Sequence, residues 1–169
     1  GQKIAVIENE FGEENIDNDI LLTDSKEHIV QMSNGCICCT IREDLRSTLQ
    51  DLAAKKRRGE LDFERVVIET TGLADPVPVA QTFFMYEDVR RKTRLDAVVA
   101  LVDAKHLPLR LKDSREAEDQ IAFADVVLVN KTDLVTKEEL RDIEATVRAI
   151  NPSAQIYRTN RSDIDLTKV

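Results

Sequence analysis

Four short runs of apolar, largely β-branched residues in this chain each stop at a polar group. They are Ile4-Ala5-Val6-Ile7 before Glu8, Val66-Val67-Ile68 before Glu69, Ala97-Val98-Val99-Ala100-Leu101-Val102 before Asp103, and Val126-Val127-Leu128-Val129 before Asn130. Runs of this length read as strands, and runs that are apolar throughout rather than alternating suit a parallel sheet covered on both faces. Parallel neighbours need long crossovers, and helical patterns lie between the runs. The expectation is therefore an α/β fold with a mostly parallel sheet and helices on both faces. In such folds ligands sit at the carboxyl ends of the strands, where the polar residues of this chain gather.

Taken in order, strands are expected over residues 3–7, 28–32, 65–69, 95–102, 125–129 and 154–159. Thr40 and Glu43 have capping-box spacing, and Leu45, Leu49 and Leu52 recur at helical period, which predicts a helix to about Arg58. Asp75 as N-cap with Pro76 at the first helical position predicts a second helix, with Val79, Phe83 and Phe84 turned to the core. A third is expected over residues 114–124. Thr136 and Glu139 cap a fourth, carrying Leu140, Ile143, Val147 and Ile150 and ended by Asn151-Pro152. No repeat or low-complexity linker interrupts the pattern, so residues 1–169 read as a single domain.

All three cysteines fall in Asn34-Gly35-Cys36-Ile37-Cys38-Cys39-Thr40, on the turn between a strand and the first helix. Adjacent Cys38 and Cys39 make a poor disulfide, and Cys36 with Cys38 would close a small strained ring, so a soft metal ion explains the cluster better. A redox-sensing thiol group and a plain buried turn are the alternatives. Upstream, Glu8-Asn9-Glu10-Phe11-Gly12-Glu13-Glu14 crowds carboxylates around a glycine and on local grounds reads as a solvated acidic loop. The histidines, His28 and His106, read as ordinary residues, His28 being near enough in sequence to serve as a spare ligand.

Asn130-Lys131-Thr132-Asp133 directly after a buried strand is the strongest motif. The carboxylate of Asp133 can accept from two donors at once, a pair that guanine presents at N1 and N2 and adenine does not. Leaving such donors unpaired in a dry pocket costs about 1–3 kcal/mol each, so the motif selects a base. The Lys131 stem can lie over the purine face, and the Asn130 amide can tie the loop to its neighbours. Glu69-Thr70-Thr71-Gly72 is weaker: an acidic strand end suits a magnesium shell, and a glycine three positions on can bring its N–H to a terminal phosphate.

Charge narrows the partners. Lys and Arg number 24 against 32 Asp and Glu, a net charge of −8 that repels a nucleic-acid backbone. The basic run Lys55-Lys56-Arg57-Arg58 reads as a solvated helix end. No apolar run approaches the roughly 20 residues of a membrane span. The absence of a leader pattern points to a cytoplasmic protein, although a removed organellar transit peptide would leave the same sequence.

The order Glu-Asn-Glu-Phe-Gly-Glu, Gly-Cys-Ile-Cys-Cys-Thr, Glu-Thr-Thr-Gly-Leu-Ala-Asp-Pro, Val-Asp-Ala-Lys-His and Asn-Lys-Thr-Asp-Leu resembles the CobW-like family of metallochaperone GTPases, relatives of the nickel-insertion GTPases UreG and HypB. The resemblance runs from about Lys3 to about Pro152. It implies a P-loop GTPase that binds zinc or another transition metal and hands it to a client metalloprotein. By that resemblance Cys36, Cys38 and Cys39 are metal ligands with Glu8 or Glu13 as auxiliaries, Glu69 and Gly72 face Mg2+ and the γ-phosphate, and Asn130, Lys131 and Asp133 hold the guanine of GTP or GDP. Three thiolates and a carboxylate suit tetrahedral Zn2+, and thiols alone suit Cu(I) better. In P-loop GTPases the segment ahead of the acidic strand end senses the γ-phosphate, and here that segment holds the acidic loop and the thiols, so nucleotide and metal are expected to bias one element.

One departure bears on activity. The family pattern opens with a Gly-x-x-x-x-Gly-Lys-Thr phosphate loop on a first strand, and these 169 residues contain no such motif. Without that nest of N–H groups and its lysine the phosphates lose their main cradle. Two other readings stand beside the GTPase core: a non-catalytic metal-binding or interaction module, and a redox-responsive thiol protein. The expected outcome is that these 169 residues alone bind GTP weakly and hydrolyse it negligibly, and turnover above that of a Glu69→Ala control in a phosphate-release assay would contradict it.

Overall fold

The computed structural model describes residues 3–9, 28–31, 39–70 and 75–169. Among them are six strands, β1 (Ile4–Asn9), β2 (His28–Gln31), β3 (Arg65–Thr70), β4 (Val99–Asp103), β5 (Val126–Asn130) and β6 (Gln155–Arg158). The helices are α1 (Cys39–Arg57), α2 (Pro76–Met85), α3 (Glu87–Arg90), α4 (Leu107–Asp113), α5 (Arg115–Phe123) and α6 (Lys137–Ile150). Every strand pairing is parallel, as the apolar runs predicted, and the strands form two three-stranded sheets, ordered β2-β1-β3 and β4-β5-β6. The chain divides into two compact units, Gly1–Ala74 with Pro78–Arg94 and Asp75–Val77 with Leu95–Val169.

In the first unit β1 is central, and its Ala5 and Ile7 are fully buried. Helix α1 buries Leu45, Leu49 and Leu52 on one face, the i, i+4, i+7 stripe that the sequence showed. The helix includes Cys39 and Thr40, so it starts slightly earlier than the Thr40 cap predicted. It stops at Gly59, whose φ of 74° is left-handed and lets the Gly59 and Glu60 N–H groups turn back to the carbonyls of Lys56 and Lys55 at 3.1 and 3.0 Å. The basic run lies in and just after the last turn, where it complements the helix dipole. Lys55 pairs with Asp51 at 2.7 Å, Lys56 donates to the Phe63 carbonyl over the Phe63 ring, and Arg58 meets Glu60 at 2.5 Å. The run is a helix end with partners of its own.

Asp75 caps α2 as expected, accepting from the Val77 N–H at 2.9 Å. Phe83 is buried, but Phe84 is 62% exposed and corrects the expectation that it faces the core. Successive helix positions are about 100° apart, so Phe83 and Phe84 cannot share one narrow buried stripe. In β3 the burial alternates residue by residue, with Val67 exposed, which corrects the reading of a strand buried on both faces.

In the second unit β5 is central and buried along all of its five residues. Val127 and Val129 join Ile121 of α5 and Leu140, Ile143 and Val147 of α6 in one core. Strand β4 is shorter than the expected 95–102 and leaves Val99 and Leu101 exposed, so its apolar run is buried on alternate residues only. The capping box of α6 is complete: Glu139 N–H donates to Thr136 Oγ1 at 3.2 Å, and Thr136 N–H to Glu139 Oε2 at 2.7 Å. Helices α3 and α4 were not anticipated; each is at most seven residues, too short for a periodic signal.

Asn151 ends α6 and closes the core. Its buried side-chain amide donates to the carbonyls of Ile121, Ala122 and Ala124 at 2.9, 3.2 and 2.8 Å, while its oxygen accepts from Ser153 and from the Ala154 N–H. These carbonyls lie at the end of α5, where the helical ladder runs out; among the described residues only that of Ile121 also takes a backbone donor, the Ala124 N–H at 3.3 Å. Asn151→Ala is expected to destabilise the fold by about 2–3 kcal/mol because it removes two buried hydrogen bonds, to Ile121 and Ala124, together with those its oxygen accepts, measured as the shift of a urea unfolding midpoint.

Candidate functional site

Each parallel sheet delivers its strands' carboxyl ends to one side, and the sequence's polar motifs leave the strands there. In the second unit β4 ends at Asp103, β5 at Asn130 and β6 at Arg158, with Asp103 the in-register partner of Asn130. Asn130 is buried, and both polar atoms of its side chain are engaged: Nδ2 donates to Ser162 Oγ at 3.1 Å, and Oδ1 accepts from Thr159 Oγ1 at 3.1 Å and from the Ser162 N–H at 3.0 Å. The amide thus ties the 130–133 loop to the chain after β6, as its sequence position suggested.

Lys131 follows in the left-handed region, φ 59° and ψ 37°, before a 3-10 turn over Thr132–Leu134. Its ammonium donates to Asp103 Oδ2 at 2.8 Å, so the aliphatic stem is stretched between the two strand ends while about half of the side chain stays exposed. Asp133 is anchored through its backbone, whose N–H donates to Asn160 Oδ1 at 3.2 Å. Among the described residues its exposed carboxylate has no hydrogen-bond or ion-pair partner, which leaves both oxygens for a ligand. The loop therefore combines a spent amide, a held lysine and a free carboxylate.

Three residues of this site were missed in the sequence. Thr159 accepts the Thr132 hydroxyl through its carbonyl at 3.3 Å, Asn160 Oδ1 takes the Thr132 hydroxyl at 3.0 Å as well as the Asp133 N–H, and Ser162 holds Asn130. Arg161 and Ser162 both adopt left-handed backbone, φ 53° and 56°, an arrangement that costs non-glycine residues about 1–3 kcal/mol each and persists only where surroundings fix it. Here the Asn130 side chain fixes Ser162. The available signal was the polar run Thr159-Asn160-Arg161-Ser162 directly after the last strand, where a parallel sheet puts its polar loops.

Asp103 has the densest set of partners. Besides Lys131, its Oδ2 meets His106 Nδ1 at 3.0 Å, and its Oδ1 accepts the N–H groups of Lys105 and His106 at 2.9 and 3.2 Å. Partial burial pushes the carboxyl upward, but the hydrogen bonds from Lys131, from the His106 ring and from the two backbone N–H groups outweigh it and hold it well below the usual carboxylate range.

In the first unit the register sets Glu8 of β1 beside Glu69 of β3 and Gln31 of β2, near the carboxyl end of the sheet. Glu69 is exposed, and Cys39 is the first residue of α1. Cys36, Cys38, Glu13 and Gly72 lie outside the described residues. β1 leads into the acidic segment and β2 toward the thiols, so both leave from the edge that carries Glu69. As a donor set, three thiolates with carboxylates fit a tetrahedral zinc ion.

Parallel strands carrying their polar loops at one end define the class, a nucleotide-binding type of α/β domain. Residues 1–158 match the family model described as the CobW/HypB/UreG nucleotide-binding domain, and the chain belongs to that family. It is 42% identical over 166 residues to the zinc chaperone YjiA of Escherichia coli, covering 98% of this chain and 51% of that protein. To the zinc-regulated GTPase metalloprotein activator 1 of Dictyostelium discoideum it is 35% identical over 205 residues, covering 100% of this chain and 42% of the relative. The chain thus spans about half the length of the curated relatives it matches. The crystal structure of Zn(II)-bound YjiA GTPase superposes with a TM-score of 0.77 at 34% identity, over 99% of this chain and 52% of that one. The hydrogenase maturation factor HypB of Archaeoglobus fulgidus shares the fold, with a TM-score of 0.54 at 18% identity over 94% of this chain and 68% of that one.

The Asp103 geometry has a pH signature. A carboxyl held low when folded contributes stability that is fully present above its unfolded pKa, near 3.9, and is lost as pH falls through the folded value. Asp103→Asn is expected to cost about 1 kcal/mol at neutral pH, discounted because Lys131 is half exposed. In urea titrations that gap should hold from neutral pH down to about 4 and close only below it.

Proposed function

We propose that this chain is the nucleotide-binding core of a zinc-delivering GTPase, with GTP or GDP held at the 130–133 loop and zinc carried as cargo at the thiols. The single observation that carries the nucleotide half is the 130–133 loop itself: Asn130 is committed to structure, Lys131 is held out along the strand ends, and the Asp133 carboxylate is left without a partner among the described residues. A ligand with paired donors can use both of those oxygens at once, and guanine presents such a pair. Glu69 would belong to the Mg2+ shell and Gly72 would approach the γ-phosphate, Mg2+ supplying charge neutralisation when bound. Supporting the metal half, Cys36, Cys38 and Cys39 with Glu8 and Glu13 form a donor set suited to zinc, and the relatives are named zinc chaperones and zinc-regulated activators.

Delivery requires a client metalloprotein and a way to change metal affinity. Both cargo and switch fall on the stretch between β1 and β3, which includes the acidic segment and the thiols, so nucleotide state at the β3 end biases the metal ligands through one element. A cluster of metal-binding thiols suits a reducing compartment, which supports the reading of a cytoplasmic protein. Among the described residues no helix is long and apolar enough to cross a membrane.

Linkage makes the reading testable, because nucleotide and zinc must alter each other's affinity by the same factor. Zinc affinity of the protein at its natural length, measured by competition with a chromogenic chelator, is expected to differ between a non-hydrolysable GTP analogue and GDP by about 5-fold or more, and joint Ser substitution of the three cysteines should abolish the difference. Equal zinc affinities in the two nucleotide states would overturn the coupling.

A further inference from the structure

A lysine whose stem serves as a platform for a flat base must be held still, and a free lysine is not. Its four methylenes carry about 2 kcal/mol of rotamer entropy that binding would otherwise have to remove. Asp103 closes β4 opposite Asn130, and its Oδ2 takes the Lys131 ammonium at 2.8 Å.

The anchor is built independently of the lysine it holds. Two backbone N–H groups fix Oδ1, the His106 ring fixes Oδ2 from the other side, and the Ala104 N–H bonds the Asn130 carbonyl at 2.9 Å, locking the two strand ends together. An ordinary surface ion pair joins two mobile side chains and is worth little. Asp103 is different: its side chain is only 26% exposed, it has three further donors, and it sits at a fixed register position. Lys131 begins from a left-handed backbone, and its ammonium ends on Asp103.

We propose that Asp103 is a positioning residue of the base pocket, acting through Lys131: it draws the ammonium to the β4 end and presents the lysine stem, already ordered, to one face of the purine. The inference rests on the guanine reading of the 130–133 loop and adds to it a residue from a different strand. Asp133 selects the base by its edge; Asp103 sets how tightly the base is sandwiched, whatever the phosphates contribute.

The test is a double-mutant cycle on nucleotide affinity in the protein at its natural length, using GDP, guanosine and ADP in competition with a fluorescent guanine nucleotide. Asp103→Asn, which keeps the shape and one acceptor, is expected to weaken GDP and guanosine alike by about 5- to 10-fold, since the lost ordering lies on the base side. Lys131→Met keeps the stem and removes the charge; it should weaken binding similarly, and Asp103→Asn should then add less than twofold in the Lys131→Met background. Lys131 is half exposed, so this second variant reports on the clamp even where the first is poorly folded. A purely structural role for Asp103 would instead leave its penalty intact beside Lys131→Met, and that result, or GDP affinity of Asp103→Asn within twofold of the parent, would overturn the proposal. If the parent binds GDP no better than ADP, the guanine reading itself fails, an outcome distinct from a normal GDP preference that ignores Asp103.

Discussion

A strand buried on both faces can offer polar groups only at its ends, and β5 imposes this constraint on the whole second unit. Its five residues are buried throughout, flanked by β4 and β6 and packed against α5 and α6. Desolvated polar groups must be hydrogen-bonded. Asn130, the last residue of the strand, meets that demand by gathering Thr159 and Ser162 around its amide. The loop after β6 is thereby pulled against the loop after β5, and the left-handed residues Lys131, Arg161 and Ser162 are the local consequence. What remains unsatisfied among the described residues is the Asp133 carboxylate at the rim, where water or a ligand can serve it.

The first unit obeys the same geometry with different chemistry. Parallel pairing of β1, β2 and β3 sends the acidic segment and the chain toward the thiols off one edge of a sheet, beside Glu69. By their chemistry, thiols and carboxylates are suited to two kinds of cation, sulfur to a transition metal and oxygen to magnesium. Residues 1–158 match the CobW/HypB/UreG nucleotide-binding domain, and relatives named as zinc chaperones share this chain's sequence over nearly its full length.

Much of the second unit was legible in the sequence because its signals are local. The Thr136 and Glu139 capping box, the Leu140, Ile143 and Val147 stripe and the Asn-Lys-Thr-Asp turn each depend on residues a few positions apart. The rest depends on contacts distant in sequence. Asp103 reads as a strand terminus until the register sets it opposite Asn130, and Thr159, the expected end of the last strand, and Ser162 have no local signal until the buried amide of Asn130 claims them. Uninterrupted apolar runs over-predicted burial: β3 and β4 carry Val67, Val99 and Leu101 exposed, because a run of valines reports strand propensity as strongly as burial. Phe84 was misassigned for a similar reason, two adjacent aromatics being read as one face.

If the free carboxylate of Asp133 reads the base edge, changing its donor and acceptor pattern must change which base is bound. Asp133→Asn replaces one acceptor oxygen with an N–H2 donor, which clashes with the guanine donors and matches the additional carbonyl of xanthine. The relative affinity of the parent and of Asp133→Asn for GDP and XDP is the most direct measurement. A guanine site predicts that the variant loses GDP by about 100-fold or more and prefers XDP; a variant that keeps the parent's preference for GDP would contradict it.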